Sequence, residues 1–206
     1  MYLVFKIITY PFRFLKRLFE KIYLIGYLSN AKHKGLKLGN ESIFNGIPII
    51  KPFQGSKISI GDRFLGNSSK NSNVAGIMMP VTIATMNSNA EIVIGDNVQI
   101  SGASIVASQS IKIGNNVLIG AGACIWDNDF HPTNAKERSI DPGMNIRSKE
   151  ILIEDNAFIG ARAIILKGVN IGQNAIIGAG AVVHSDVEEN SVYSGNPAKF
   201  IKKLDQ

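Results

Sequence analysis

The chain lacks the means for several common designs. Its 206 residues hold one cysteine, Cys124, which excludes an intrachain disulfide framework and fits a reducing compartment. It holds three histidines, His33, His131 and His184, spread across the chain; a zinc centre built on three imidazoles needs them on one metal. Charged residues make up only 18% of the chain. No uninterrupted apolar run reaches the roughly 20 residues that span a bilayer, and no small-residue cleavage site follows a clean apolar core, which argues against a secretory signal. Neither the three-and-four spacing of helices nor the alternation of half-buried strands dominates the sequence.

What is present is a period of six. Ile153, Ile159, Ile165, Ile171, Ile177 and Val183 stand six apart. A small residue or valine follows each one four positions later, at Ala157, Ala163, Val169, Ala175, Ala181 and Val187. The spacing recurs earlier at Ile94 and Ile100, and at Ile113, Ile119 and Ile125. A short signature accompanies it: Ile94-Gly95-Asp96-Asn97, Ile113-Gly114-Asn115-Asn116 and Ile171-Gly172-Gln173-Asn174, with weaker copies at Ile60 and Ile153. This pattern predicts a parallel β-helix in which each hexapeptide is one flat face and one turn. The 18 residues from Ile153 to Ile171 make one triangular coil. Each isoleucine points inward and stacks on the next coil, and Gly, Asn and Asp take the positive φ of the corners. No single coil buries its own interior, so several must stack. Cys124 lies between the inward positions Ala123 and Ile125 and is expected to turn outward as a packing residue.

The net charge of +6 is lopsided. Residues 1–37 carry eight Lys/Arg against Glu20 alone, whereas the other 169 carry 14 basic and 15 acidic groups. The basic balance describes an N-terminal arm, and no basic stripe continues into the repeats as a nucleic-acid footprint would. Within the arm, Thr9 and Pro11 read as a helix start, and Phe12, Leu15, Phe19, Ile22 and Tyr23 form an apolar stripe ending at Gly26. Two roles stay open, and one helix could fill both: a cap over the first coil, or an amphipathic helix lying in a membrane interface.

The expected organisation is an arm over 1–37, an all-β solenoid over 38–191 with an inserted loop at 127–150, and a C-terminal turn and short helix over 192–206. Residues 38–93 are an irregular start, where Ile58, Ile60 and Phe64 fit the repeat and Asn67–Asn73 reads as a polar loop. The segment from Trp126 to Glu150 loses the period and gathers prolines and polar groups. Insertions of this kind project from one face of a solenoid and commonly carry function.

The hexapeptide register, the insertion holding His131-Pro132, the run Ile177-Gly178-Ala179-Gly180-Ala181-Val182-Val183 and the ending Gly195-Asn196-Pro197-Ala198-Lys199 resemble the hexapeptide-repeat acyltransferases. The likeness is to galactoside and maltose acetyltransferases and polysaccharide O-acetyltransferases, over roughly residues 90–203. It implies a left-handed β-helix, usually a homotrimer, with active sites between neighbouring prisms and acetyl-CoA as donor substrate and no metal. It implies O-acetyl transfer to a sugar or glycan, with His131 as general base. Asp127 and Asp129 stand near enough in sequence to orient the ring, and equally suit solvated loop acids. The likeness places Ala161, Ala179, His184, Ser185, Lys199 and Lys202 along the CoA groove. It places Ser101 and Gln109 near acceptor-holding positions; Trp126 adjoins the insertion, where it suits stacking on a sugar face and equally a packing role. The implied location is cytoplasmic, with the arm allowing peripheral contact at the inner face of the membrane. A non-catalytic scaffold and an acyltransferase acting on an amine remain alternatives.

Overall fold

The computed structural model describes residues 2–205, without the side chains of residues 2–14, 16 and 17. Its centre is a three-sided parallel β-helix. The first side stacks Leu36–Leu38, Lys57–Ile60, Glu91–Ile94, Ser110–Ile113, Ile151–Ile153 and Asn170–Ile171. The second stacks Ile43–Asn45, Leu65–Asn67, Gln99–Ser101, Leu118–Ile119, Phe158–Ile159, Ile176–Ile177 and Ser191–Ser194. The third stacks Ile49–Lys51, Thr82–Thr85, Ser104–Ala107, Cys124–Trp126, Ile164–Ile165 and Val182–Val183.

The six-residue period is the cause of this shape. Ile60, Ile94, Ile113, Ile153 and Ile171 pair in register down the first side and are almost wholly buried. Ile100, Ile119, Ile159 and Ile177 do the same on the second, and Ile83, Ile105, Ile125, Ile165 and Val183 on the third. Ile58, Ile60 and Phe64 are buried as expected. Cys124 faces outward, half-buried, and burial pushes its thiol pKa up, which disfavours the reactive thiolate.

The Ile-Gly-Asx-Asn signature builds the corner between the first and second sides. Asn97, Asn116, Asn156, Asn174 and Asn190 all take a left-handed φ between 51° and 61°. Their side chains form a ladder, each amide donating to the carbonyl of the asparagine one coil on, at 2.7–3.2 Å. A second ladder runs beside it, in which Asp62, Asp96, Asn115 and Asp155 each accept a backbone N–H from the coil before. Gly114 precedes this corner because the next coil leaves no room: a Cβ there would sit 2.3 Å from Asp155 Oδ1.

Two segments differ from the expected boundaries. Helix α1 runs from Tyr2 to His33, through Pro11 and past Gly26. It stops at Gly35, which takes a φ of +111° just past His33, and docking carries it through Gly26 to that point. Ala31 is buried, and the Tyr27 hydroxyl donates to Ile50 O (3.0 Å) and accepts the Ile50 N–H (2.7 Å). These contacts outweigh the roughly 1 kcal/mol helix penalty of one glycine. The last turns of α1 therefore cap the first coil; the stripe position at Phe12 lies outside the described side chains. The expected C-terminal helix is instead a strand, Lys199–Lys203, antiparallel to Ser191–Ser194. The turn at Ser194–Pro197 folds the chain back on an unpaired strand edge. That edge supplies backbone partners which a five-residue helix could not supply for itself.

Candidate functional site

The inserted loop leaves the prism at the corner between its third and first sides, directly after Trp126. Its base is closed by short antiparallel pairing: Asn128 bridges Ser148, Asp129 N–H donates to Arg147 O (3.1 Å), and Lys149 N–H donates to Asp127 O (2.9 Å). Beyond it, helix α2 spans Ala135–Ile140, with Asn134 accepting from the N–H groups of Lys136 and Glu137. That helix was not expected, although Asn134 with Glu137 three residues on is a readable capping pattern.

His131 sits on a strained turn. Its N–H donates to Asp129 O at 2.7 Å, closing a three-residue turn around Phe130, whose φ is +59°. A bulky residue in the left-handed region is a genuine outlier, and such strain collects at functional positions. Phe130 is held there by its ring, which meets Trp126 edge-on at 5.3 Å, and by its N–H on Asn128 Oδ1 (2.9 Å). Arg138 donates from its guanidinium to Pro132 O (2.8 Å) and Thr133 O (2.9 Å), fixing the chain just beyond.

The His131 ring is exposed, with Nδ1 3.0 Å from Pro142 O. A carbonyl oxygen can only accept, so in the neutral ring Nδ1 carries the hydrogen and Nε2 keeps its lone pair. The ring thus meets a backbone carbonyl and neither of the two aspartates. Asp127 is completely buried, and its carboxylate accepts the N–H groups of Ser108 (2.7 Å), Gln109 (2.7 Å) and Ser110 (2.8 Å) and the Asn128 amide (3.1 Å). It ties the root of the loop to the preceding coil. Asp129 pairs with Lys167 from the following coil. Lys167, Arg138 and Pro142 are the residues that sequence reasoning missed; a lysine at a solenoid corner and a proline carbonyl carry no distinguishing signal.

Several expected residues gather here. Trp126 packs on Phe130 and its indole N–H donates to Ser104 Oγ (3.2 Å). The exposed Gln109 side chain accepts from Ser148 of the loop (3.4 Å). His184 and Ser185 lie exposed at this same corner, past Val183. Ser101, Ala161 and Ala179 do not join them. They stand at the corner between the second and third sides, where Ala161 and Ala179 follow Gly160 and Gly178 in successive coils. Ser101 is buried there, taking hydrogen bonds from Asn67 (3.1 Å) and Asn73 (2.8 Å) that anchor the 68–81 loop, so its hydroxyl is not offered to a ligand in the single chain. That loop runs down this corner as far as Arg162, which reaches Met78 Sδ at 3.7 Å. Lys199 and Lys202 are exposed on the terminal hairpin. Among the described residues no group of three or more His, Cys, Asp or Glu side chains is placed to hold a metal ion.

Residues 150–185 match the family model for the hexapeptide repeat of succinyl-transferase. The galactoside O-acetyltransferase of Lactococcus lactis subsp. lactis is 36% identical over 101 residues, 49% of this chain and 47% of its own length. The 2,3,4,5-tetrahydropyridine-2,6-dicarboxylate N-acetyltransferase of Staphylococcus aureus is 39% identical over 93 residues, 45% of this chain and 33% of its own. This chain thus covers less than half the length of either relative. Among solved structures, a galactoside acetyltransferase in complex with coenzyme A superimposes with a TM-score of 0.53 at 22% identity, covering 86% of this chain and 69% of that one. The resemblance to hexapeptide-repeat acyltransferases is borne out, and the fold is the left-handed parallel β-helix.

Proposed function

We propose that the protein is an acetyl-CoA-dependent O-acetyltransferase that acetylates a sugar hydroxyl in surface polysaccharide or glycolipid synthesis, with His131 as general base. The observation that carries this reading is the Nδ1 contact of His131 with Pro142 O, because it leaves Nε2 basic and outward on a fixed turn. His131 Nε2 takes the hydroxyl proton as the oxygen attacks the thioester carbonyl. The N–H of Ala161, which has no side-chain donor, faces the developing oxyanion. As the C–S bond breaks, the imidazolium returns the proton to the departing sulfur. The similarity to galactoside O-acetyltransferase and the coenzyme A complex of a structural neighbour support the donor and the acceptor class.

The working unit in this reading is a homotrimer. His131, Gln109 and Trp126 occupy one corner of the prism, whereas Ala161, Ala179 and the 68–81 loop occupy another. A site that uses both sets needs the second set from an adjacent copy. Ile43, Leu118 and Phe158, exposed on the outer face of the second side, supply apolar surface for that contact. Lys199 and Lys202 then meet CoA phosphates as point charges.

Incubation of the protein with acetyl-CoA and a panel of nucleotide sugars and glycans, followed by mass spectrometry, tests the reading. The expected product gains one acetyl group that mild alkali removes, as an ester requires. An alkali-stable acetyl group would assign the activity to an amine, the chemistry named for the Staphylococcus aureus relative. Absence of transfer across the panel together with no binding of CoA would point to a non-catalytic scaffold.

A further inference from the structure

We propose that helix α1 holds the protein on an anionic lipid surface, with the face bearing Leu15, Phe19 and Ile22 lying in the headgroup interface. The inference is independent of the acyl-transfer reading.

One helix carries two apolar faces. Leu24, Tyr27, Leu28 and Ala31 face the prism; Ala31 is buried, and Tyr27 and Leu28 pack on its core. A helix advances about 100° per residue, which places Leu15, Leu18, Phe19, Ile22 and Ile25 roughly opposite that docked face. Those five are 47%, 43%, 67%, 57% and 70% exposed. Capping the first coil requires only the docked face, so it leaves the second one unexplained. Three turns of large apolar side chains standing open in one stripe mark an interaction surface.

Charge selects the occupant. Residues 1–37 bring eight Lys/Arg and only Glu20 in opposition, while the remainder of the chain is close to neutral. A second copy of the helix would add an equal net positive charge beside the first and brings only Glu20 to meet the cations. An anionic headgroup layer accepts both the cations and the apolar stripe. Among the described residues no helix is long and apolar enough to cross a membrane, so the helix lies in the interface. Because the docked face is opposite the lipid-facing one, the prism hangs from the side of the helix away from the bilayer.

Vesicle flotation of the full-length protein tests this, using phosphatidylglycerol–phosphatidylcholine vesicles and vesicles of phosphatidylcholine alone. The comparison variant is Phe19→Asp with Ile22→Asp, which spares Tyr27, Leu28 and Ala31. Wild type is expected to float with the anionic vesicles only, and to dissociate near 1 M salt, where the screening length falls to about 3 Å. The variant is expected to bind about tenfold to hundredfold more weakly or worse, the ratio corresponding to loss of one to two buried apolar side chains, with an unchanged melting temperature. Wild type remaining in solution with anionic vesicles at low salt would overturn the proposal. So would a variant that floats as well as wild type. A fall in the solution mass of the variant, read by light scattering, would assign the face to a second copy of the chain instead.

Discussion

Left-handed backbone is held in two contrasting ways. At the Asn corner of the prism it recurs in coil after coil, at Asn97, Asn116, Asn156, Asn174 and Asn190. Asparagine tolerates this conformation better than most residues, and each member gains a side-chain hydrogen bond to its neighbour. At Phe130 the same conformation occurs once, on an aromatic residue with no ladder above or below it. There it is held by the ring against Trp126, by Asn128, and by a loop root pinned through Asp127. The contrast teaches that a solenoid offsets strain by repetition, whereas the loop holds a single aromatic residue in that conformation and draws on the rigid prism to keep it there.

The comparison can be broken at three points. Asp127→Ala removes the acceptor for three backbone N–H groups at the root of the loop. It is expected to destabilise the protein by about 3 kcal/mol or more, read from urea denaturation. Asn116→Ala leaves a Cβ in the left-handed region and removes two rungs of the ladder. The expected cost is about 1–2 kcal/mol, and Asn116→Gly should recover the conformational part of it. Phe130→Gly sharpens the contrast from the other side. Relief of about 1–2 kcal/mol of backbone strain offsets only part of the loss of the half-buried ring, whose apolar burial and edge contact are together worth about 2–4 kcal/mol, so the melting temperature should fall by a few degrees. Turnover should still fall about tenfold to hundredfold, because His131 is no longer aimed.

The same contrast explains how much could be read in the sequence. The prism was legible because its contacts repeat: the isoleucine columns and the Asn ladder write one physical rule several times. His131 was legible from its setting, at the start of an insertion that breaks the rule. The partner of its ring was not, because Pro142 acts through a backbone carbonyl, which any residue possesses. Asp127 and Asp129 were legible as acids near His131 but not in role, since burial separates a loop anchor from an ion-pair partner and burial is set by the neighbouring coils. The end of α1 at His33 and the terminal strand at Lys199–Lys203 escaped for one reason. Docking onto the prism carries α1 through Gly26 to its stop at Gly35 and lays the terminal strand on an open edge.

The most direct test of the central claim is the kinetics of His131→Ala. The ring is exposed and outside the packed core, so the variant should fold and bind CoA as wild type does. Turnover of acetyl-CoA with a sugar acceptor is expected to fall by about 10²–10⁴, the range for loss of a general base. Wild-type turnover in this variant would contradict the account and leave the strained turn without its catalytic purpose.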